Sequence, residues 1–168
     1  MRQQIIDTHT HLEQVADVES ALQRARKAGV AAIITLGMNQ LSSWRALELS
    51  RRYPDFVYPA LGIHPWAVER DEVDDTCTFI TEHIGDCVAV GEIGLDYWIK
   101  KDEQLQREVM ERLLQIAVEH DKPICTHSRG SYQYVFDAVK DSRIKKAVFH
   151  WYSGPLEIVD QIIESGYC

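Results

Sequence analysis

Short apolar runs alternate with amphipathic segments along the whole chain, and this alternation constrains the fold more than any other feature. The runs, rich in Ile and Val, cover about residues 4–9, 30–37, 56–63, 87–93, 122–127 and 146–151. Between most of them, apolar residues recur at helical spacing. Strands joined by helices of ~10–20 residues are typical of βαβ units, because parallel neighbours need a crossover connection. The sequence therefore predicts an α/β fold built on a parallel sheet.

The predicted helices begin and end at residues that commonly occupy such positions. Their bounds are Asp17–Ala28, Ser42 or Ser43 to about Arg52, Asp75–Ile84, Lys101–His120, Ser131–Lys140 and Pro155–Ser165. Gly29 fits the left-handed position that ends the first helix. Pro155 suits the first turn of the last helix. Each segment is long enough to connect two parallel strands.

Length and charge limit the class of protein. The 168 residues, 45% of them hydrophobic, can bury one core, so we expect a single domain over 1–168. A net charge of -8 argues against a basic protein that coats nucleic acid. It leaves a nuclease possible, because bound divalent cations add local positive charge. The four cysteines are not spaced as in a metal site, so we expect reduced thiols in a cytoplasmic protein. No apolar stretch is long enough to span a bilayer, so we expect no membrane partner.

Candidate metal ligands lie at the ends of the apolar runs. His9 and His11 end the first run, and a His-x-His pair on a strand directs both imidazoles to the same face. Two such nitrogens are half of a site for a first-row divalent metal. The other candidates, each near the carboxyl end of a later run, are Glu92, His127 and His150. In a (β/α) barrel, that face carries the active site.

Each of these candidates has a structural alternative. A lone Glu92 in an apolar strand needs a partner or a metal, unless it is an exposed carboxylate at the strand end. His9 and His11 could be a hydrogen-bonded pair at the barrel mouth. His127 and His150 could likewise have purely structural roles. The coincidence of all five at strand ends favours metal binding.

Five further residues allow two interpretations each. His64 either meets a substrate phosphate or is structural, and Arg129 either binds phosphate through two hydrogen bonds or forms a surface ion pair. Asp96 is expected to cap the following loop or helix. Asp7 either orients a ligand imidazole or forms a buried hydrogen bond within the barrel. Cys125 is expected to pack beside the metals without binding them.

Five motifs in the chain resemble those of the TatD family of metal-dependent hydrolases. They are Ile-Asp-Thr-His-Thr-His at 6–11, Ala-Leu-Gly-Ile-His-Pro at 60–65, Val-Gly-Glu-Ile-Gly-Leu-Asp-Tyr at 90–97, Pro-Ile-Cys-Thr-His-Ser-Arg at 123–129 and Phe-His-Trp-Tyr-Ser-Gly at 149–154. The resemblance covers the whole chain. It implies a TIM-type (β/α) barrel, similar to that of the amidohydrolases, with about six of the eight β/α units present.

The resemblance also implies ligand roles. His9, His11 and Glu92 would hold one divalent ion, with Glu92 as a bridging, catalytic carboxylate. His127 and His150 would complete a second site, which shares that carboxylate. The two cofactors would be Mg²⁺, Mn²⁺ or Zn²⁺. Two such ions can bind a phosphodiester oxygen and lower the pKa of a shared water.

Three functions remain open on this basis. The first is a DNase of TatD type, acting like an exonuclease and preferring single strands because a narrow barrel mouth should exclude duplex. The second is a related hydrolase of D-aminoacyl-tRNA or of a cyclic amide, although an amidohydrolase is expected to have a lysine at the position of Glu92. The third is an inactive metal-binding partner, because the family's strand-eight aspartate, a ligand and general base, has no counterpart in these residues.

Two departures from the family pattern bear on the site and the assembly. Trp151 and Tyr152 replace a more common Cys-Phe pair, and they could stack on nucleobases or fill space under a loop. The similarity runs out at 166–168, where a seventh strand would start. The chain could be a fragment of a longer protein, a short form completed by another chain, or a shortened barrel that pairs with itself through open strand edges.

Overall fold

The computed structural model describes residues 5–168, which form one parallel sheet with helices between its strands. Within these residues the sheet has six strands in the order β1-β2-β3-β4-β5-β6. The strands are β1 (Ile5–Thr10), β2 (Val30–Leu36), β3 (Val57–Leu61), β4 (Ala89–Asp96), β5 (Ile124–Arg129) and β6 (Ala147–Phe149). All neighbouring strands run parallel. The predicted α/β barrel architecture with six units is therefore confirmed; residue 4, the predicted start of the first strand, lies outside the described residues.

The helices connect successive strands, as the spacing predicts. They are α1 (Val18–Ala28), α2 (Gln40–Arg52), α3 (Val73–His83), α4 (Glu103–Glu119), α5 (Tyr132–Asp141) and α6 (Leu156–Glu164). None of the helices within residues 5–168 is long and apolar enough to cross a bilayer.

One predicted helix start is wrong. The side chain of Asn39, not that of Ser42 or Ser43, caps α2 by accepting a hydrogen bond from the Ser42 backbone N–H at 3.0 Å. In return, the Ser42 hydroxyl accepts from the Asn39 backbone N–H at 2.9 Å. This reciprocal capping box places the N-cap three or four residues earlier than predicted. By contrast, Gly29 ends α1 in a left-handed conformation, φ 100°, as expected, and Asp17, predicted as the first residue of the helix, is its N-cap.

The main core packs the helices against β3 to β6. All eight residues of β4 are buried, which makes it the most enclosed strand. Ile93 and Leu95 of β4 pack in one cluster with Leu113 of α4 and Phe136 of α5. Truncating a side chain of this kind to alanine typically costs about 2–5 kcal/mol. β4 is thus held rigidly, and so is the polar residue it carries at its centre, Glu92.

Glycines allow β4 to approach its neighbours closely. Gly94 has φ +144°, and a Cβ there would lie 1.9 Å from the backbone oxygen of His127. Gly62 follows β3, and a Cβ on it would lie 2.5 Å from the carbonyl carbon of Gly91. Only residues without a side chain fit at these two positions. Both contacts lie beside the segment that positions Glu92 and His127.

Candidate metal centre

The carboxyl ends of the strands surround a cavity of about 900 Å³. Every sequence-predicted site residue lines it: His9, His11, His64, Glu92, His127, Arg129 and His150. They come from β1 and the residue after it, the segment after β3, β4, β5 and the residue after β6. The parallel sheet thus brings together residues that are up to 141 positions apart in the chain.

Glu92 lies at the centre of this group, with its side chain 2% exposed. Its Oε2 lies 3.2 Å from Nε2 of His9 and 3.2 Å from Nε2 of His11. Its Oε1 lies 3.2 Å from Nδ1 of His127 and 3.5 Å from Nε2 of His64. Each carboxylate oxygen therefore faces two imidazoles, which divides the centre into two halves.

The surroundings of Glu92 keep it ionised. Burial alone would raise the pKa of Glu92, but the four surrounding imidazoles, of His11, His127, His64 and His9, outweigh burial and hold the pKa well below its usual range. Among residues 5–168, Oε1 finds no partner with hydrogen-bond geometry. A buried, charged oxygen without a partner is costly. A cation held between Glu92 and the imidazoles would remove that cost, so the residues present fit a divalent metal.

Neighbours outside the centre fix the tautomers of two histidines. Nδ1 of His11 lies 2.9 Å from the backbone oxygen of Leu36, which can only accept, so Nδ1 carries the proton and Nε2 presents its lone pair to Glu92. Nδ1 of His64 accepts from the backbone N–H of Trp66 at 3.1 Å, so in the neutral ring Nε2 carries the proton that faces Glu92. His11 is thus oriented as a ligand, and His64 turns an N–H towards Oε1 of Glu92, 3.5 Å away and without hydrogen-bond geometry.

The same two histidines differ in pKa. Burial lowers the pKa of His11, but its bonds with Glu92 and with Leu36 outweigh burial, and the pKa is raised. For His64, burial is the larger effect, and the pKa is lowered. His64 therefore stays neutral more readily than His11, which agrees with a neutral ring whose N–H faces Glu92.

The ligand atoms group into two sets of three. Those of His9, His11 and Glu92 lie within 4.8 Å of one another, and so do those of His64, Glu92 and His127. His150 belongs to neither set. Its ring stacks on that of His9, with centroids 3.3 Å apart, and burial together with the charge of His9 lowers its pKa to about 4. The role of His150 as a ligand stays a prediction.

Asp96 has a larger role than the sequence suggests. Its Oδ1 accepts from the Trp98 backbone N–H at 3.0 Å, so the predicted loop cap is confirmed. The alternative helix cap is wrong, because Asp102 caps α4 through the Leu105 N–H. In addition, Oδ2 of Asp96 lies 3.0 Å from Nε2 of His127 and 2.7 Å from Nη2 of Arg129. The sequence did contain a signal for this role, because side chains alternate along a strand and residues 92 and 96 therefore lie on the same face of β4.

The two remaining expectations have different outcomes. Asp7 is exposed, and its Oδ1 accepts from the backbone N–H of His9 at 3.1 Å, so it neither orients an imidazole nor forms a buried bond. Sγ of Cys125 lies 3.2 Å from Nδ1 of His9. Burial raises the pKa of this thiol far above its usual range, which favours packing over metal binding, as expected.

The two aromatic residues that follow His150 have different environments. The ring of Tyr152 lies 5.3 Å from that of Tyr132, and its hydroxyl donates to the Pro155 oxygen, so Tyr152 fills space. Trp151 is 86% exposed at the rim of the cavity. It therefore remains free to contact a ligand.

Comparison with known proteins gives one consistent family. The family described as TatD related DNase matches residues 6–168. An uncharacterized metal-dependent hydrolase of Methanocaldococcus jannaschii, MJ1582, is 34% identical over 96% of the chain and 65% of that relative. A 3'-5' ssDNA/RNA exonuclease TatD of Erwinia tasmaniensis is 28% identical over 94% of the chain and 62% of that relative.

A solved structure agrees with the sequence relatives. The crystal structure of the TatD homolog YjjV from Escherichia coli superimposes with a TM-score of 0.85 and 31% identity, over 97% of the chain and 66% of that protein. A phosphotriesterase homology protein of Escherichia coli, at 14% identity and a TM-score of 0.75, shares the fold. The chain spans about two thirds of the length of the relatives it matches.

Proposed function

Since the chain belongs to the TatD family of related DNases, we propose that it takes part in divalent-metal-dependent hydrolysis of phosphodiester bonds in DNA. The observation that carries the proposal is the buried Glu92 carboxylate, which is surrounded by four imidazoles and keeps one oxygen unpartnered within residues 5–168. A purely structural ion pair would satisfy that oxygen. An arrangement that leaves it open inside a cavity suits cation binding.

The proposed ligands are shared between two ions. His9, His11 and Glu92 form one site, and His127 and His150 join Glu92 in the second, with the Nε2–H of His64 facing Glu92. A nitrogen-rich set with one bridging carboxylate suits Zn²⁺ or Mn²⁺ better than Mg²⁺, which prefers oxygen ligands. When bound, such ions polarise a phosphodiester oxygen and lower the pKa of a bound water.

Side chains at the rim suit a single-stranded substrate. Arg129 uses Nε and Nη2 to bind Asp96, and neither contact occupies Nη1, which we propose for a substrate phosphate. Trp66, which is 48% exposed, and Trp151 both line the cavity. Trp151 holds φ +45°, a left-handed conformation that is costly for a bulky residue and commonly has a functional reason. Nucleobases can stack on such rings only when they are unpaired, which favours single strands over duplex.

End-labelled DNA tests the proposal. We expect single-stranded DNA to be shortened with Mn²⁺, Zn²⁺ or Mg²⁺, to be protected by a chelator, and to be cleaved faster than duplex of the same sequence. Glu92→Gln should abolish cleavage, whereas Glu82→Gln, on an exposed face of α3, should not. Intact DNA with all three ions, together with hydrolysis of D-aminoacyl-tRNA, would replace the nuclease with the deacylase. Metal binding without either activity would indicate the inactive partner.

Self-association through the sheet edge and a cytoplasmic location stay predictions. On β1, which is an edge of the sheet within residues 5–168, Ile5 and Ile6 are 56% and 57% exposed. A strand from a second chain would cover them, since unpaired apolar edges favour pairing. Sedimentation over a range of protein concentrations tests self-association.

A further inference from the structure

One oxygen of Asp96 binds donors from three parts of the fold. Oδ2 accepts from the indole N–H of Trp66 at 2.7 Å, and it lies 3.0 Å from Nε2 of His127. It also accepts from Nε of Arg129 at 2.9 Å, and Nη2 of the same guanidinium lies 2.7 Å away. The side chain is fully buried. The indole and guanidinium nitrogens can only donate, so Oδ2 acts as the acceptor in this cluster.

The contact with His127 decides which ring nitrogen is available inside the cavity. Oδ2 already accepts from the Trp66 indole and from Arg129, so Nε2 of His127 carries the proton. Nδ1 then presents its lone pair, and it lies 3.2 Å from Oε1 of Glu92. This Oε1 is the atom that has no partner with hydrogen-bond geometry among the described residues. A histidine that donates to a carboxylate on one side and binds a metal on the other is a common arrangement.

The contact with Arg129 fixes the cation beside that histidine. Two of its nitrogens converge on Oδ2, and its guanidinium carbon lies 5.3 Å from the ring centre of Trp66 and 5.5 Å from that of Trp98. The guanidinium is therefore held by one carboxylate and two aromatic rings. Its orientation relative to His127 depends on the same oxygen.

The backbone of Asp96 is held without its carboxylate. The side chain of Gln106 on α4 accepts from the backbone N–H of Asp96 at 2.8 Å and donates to the backbone oxygen of Asp96 at 3.3 Å. Parallel pairing of Asp96 with Arg129 adds the sheet contact. A change in the carboxylate alone should thus leave β4 in place.

We propose that Asp96 is a positioning residue, which sets the tautomer of His127 and the orientation of Arg129 through one oxygen. A metal ligand and a phosphate-binding cation then keep a fixed relative geometry. The proposal rests on the proposed function insofar as His127 binds metal and Arg129 binds phosphate. Its effect on the His127 tautomer is independent of both.

The test compares Asp96→Asn with Asp102→Asn, the same chemical change at the exposed cap of α4. Nitrogen NMR of the imidazole rings in metal-free protein reports the tautomer. We expect the His127 proton on Nε2 in wild type and in Asp102→Asn, and a loss of this preference in Asp96→Asn. The Nε–H signal of Arg129 should be distinct in wild type and move to the position of free guanidinium in Asp96→Asn.

Cobalt titration, followed by visible absorption, measures the consequence for metal binding. Asp96→Asn should weaken the second binding event by about 10- to 100-fold, the size known for carboxylates behind a ligand histidine, and leave the first unchanged. Asp102→Asn should change neither event.

The outcomes separate the two proposals. A His127 proton on Nδ1 in wild type overturns the positioning role, even if Asp96→Asn fails to fold. So does an unchanged tautomer in Asp96→Asn. The expected tautomer shift without cobalt binding in any variant would support positioning by Asp96 and contradict the metal-dependent function.

Discussion

Nε2 of His11 lies 3.2 Å from Oε2 of Glu92, while Nδ1 of the same ring donates to the backbone oxygen of Leu36. In the neutral ring, a lone pair therefore faces a negatively charged oxygen. Two such atoms repel each other unless a proton or a metal ion lies between them. The raised pKa of His11 is the response of the metal-free centre to this contact. The contact between His11 and Glu92 is explained if both side chains are ligands of one metal ion.

Removing the Glu92 charge should remove metal affinity. We expect Glu92→Gln to lower the affinity for Mn²⁺ or Zn²⁺ by about 10-fold or more. Replacing a residue that only hydrogen-bonds to a metal ligand already costs about 10–100-fold in metal affinity. Calorimetry and elemental analysis after gel filtration measure the effect, with Glu82→Gln as control. Equal metal content in wild type and Glu92→Gln would falsify the assignment of Glu92 as a ligand.

A side chain at Gly94 should destabilise the protein. Gly94→Ala puts a Cβ 1.9 Å from the His127 oxygen and requires φ +144° of a residue that rarely adopts it. We expect a loss of about 1–3 kcal/mol or more in the free energy of unfolding, the range typical of overpacking in a core. Urea denaturation measures it. Gly85→Ala, where nothing lies within 4 Å of the added Cβ, should differ little from wild type.

Trp151 should contribute to binding of single strands. We expect Trp151→Ala to weaken the binding of a short oligonucleotide by about 5- to 100-fold, because stacking of a base on an aromatic ring contributes about 1–3 kcal/mol. Fluorescence anisotropy in the presence of a chelator measures binding without cleavage. Trp44→Ala removes a ring on α2 that is 45% exposed and lies away from the cavity, and it should have no effect. Equal losses in both variants would contradict a specific role.

The metal-free protein should lose stability on acidification. In the folded state, burial, with a smaller contribution from the charge of His9, lowers the pKa of His150 to about 4, below its value of 6.5 in the unfolded chain. Between these values the unfolded chain binds more protons, so stability falls as pH falls from about 6.5 to 4. The lowered pKa of His64 acts in the same direction, and the raised pKa of His11 acts against it.

Replacing His150 tests this dependence. His150→Asn should reduce the loss by on the order of 1–2 kcal/mol, after allowance for solvent screening of a partly exposed ring. Thermal unfolding in chelator at several pH values measures the slope. His120→Asn, on the exposed end of α4, should leave it as in wild type. A slope that is identical in all three proteins contradicts a perturbed His150.

The sequence by itself determined the order of the strands, the helices between them and the edge of the sheet where the histidines lie. Each of these depends on local periodicity: apolar runs specify strands, and parallel strands place all their carboxyl ends at one edge. The residues around Glu92 could therefore be identified from positions alone. The capping box at Asn39 and Ser42 was missed because both serines nearby are equally good caps in sequence.

Only the tertiary structure decided how these side chains face one another. The proton on His64 points into the centre because the Trp66 N–H occupies its other nitrogen, and Asp96 contacts His127 and Arg129 because of the register between β4 and β5. Trp151 is exposed and Tyr152 packed for similar reasons. Register and tautomer result from contacts between segments far apart in the chain, with energies that local sequence does not encode. The strand positions were readable from periodicity; the direction of each proton and charge was not.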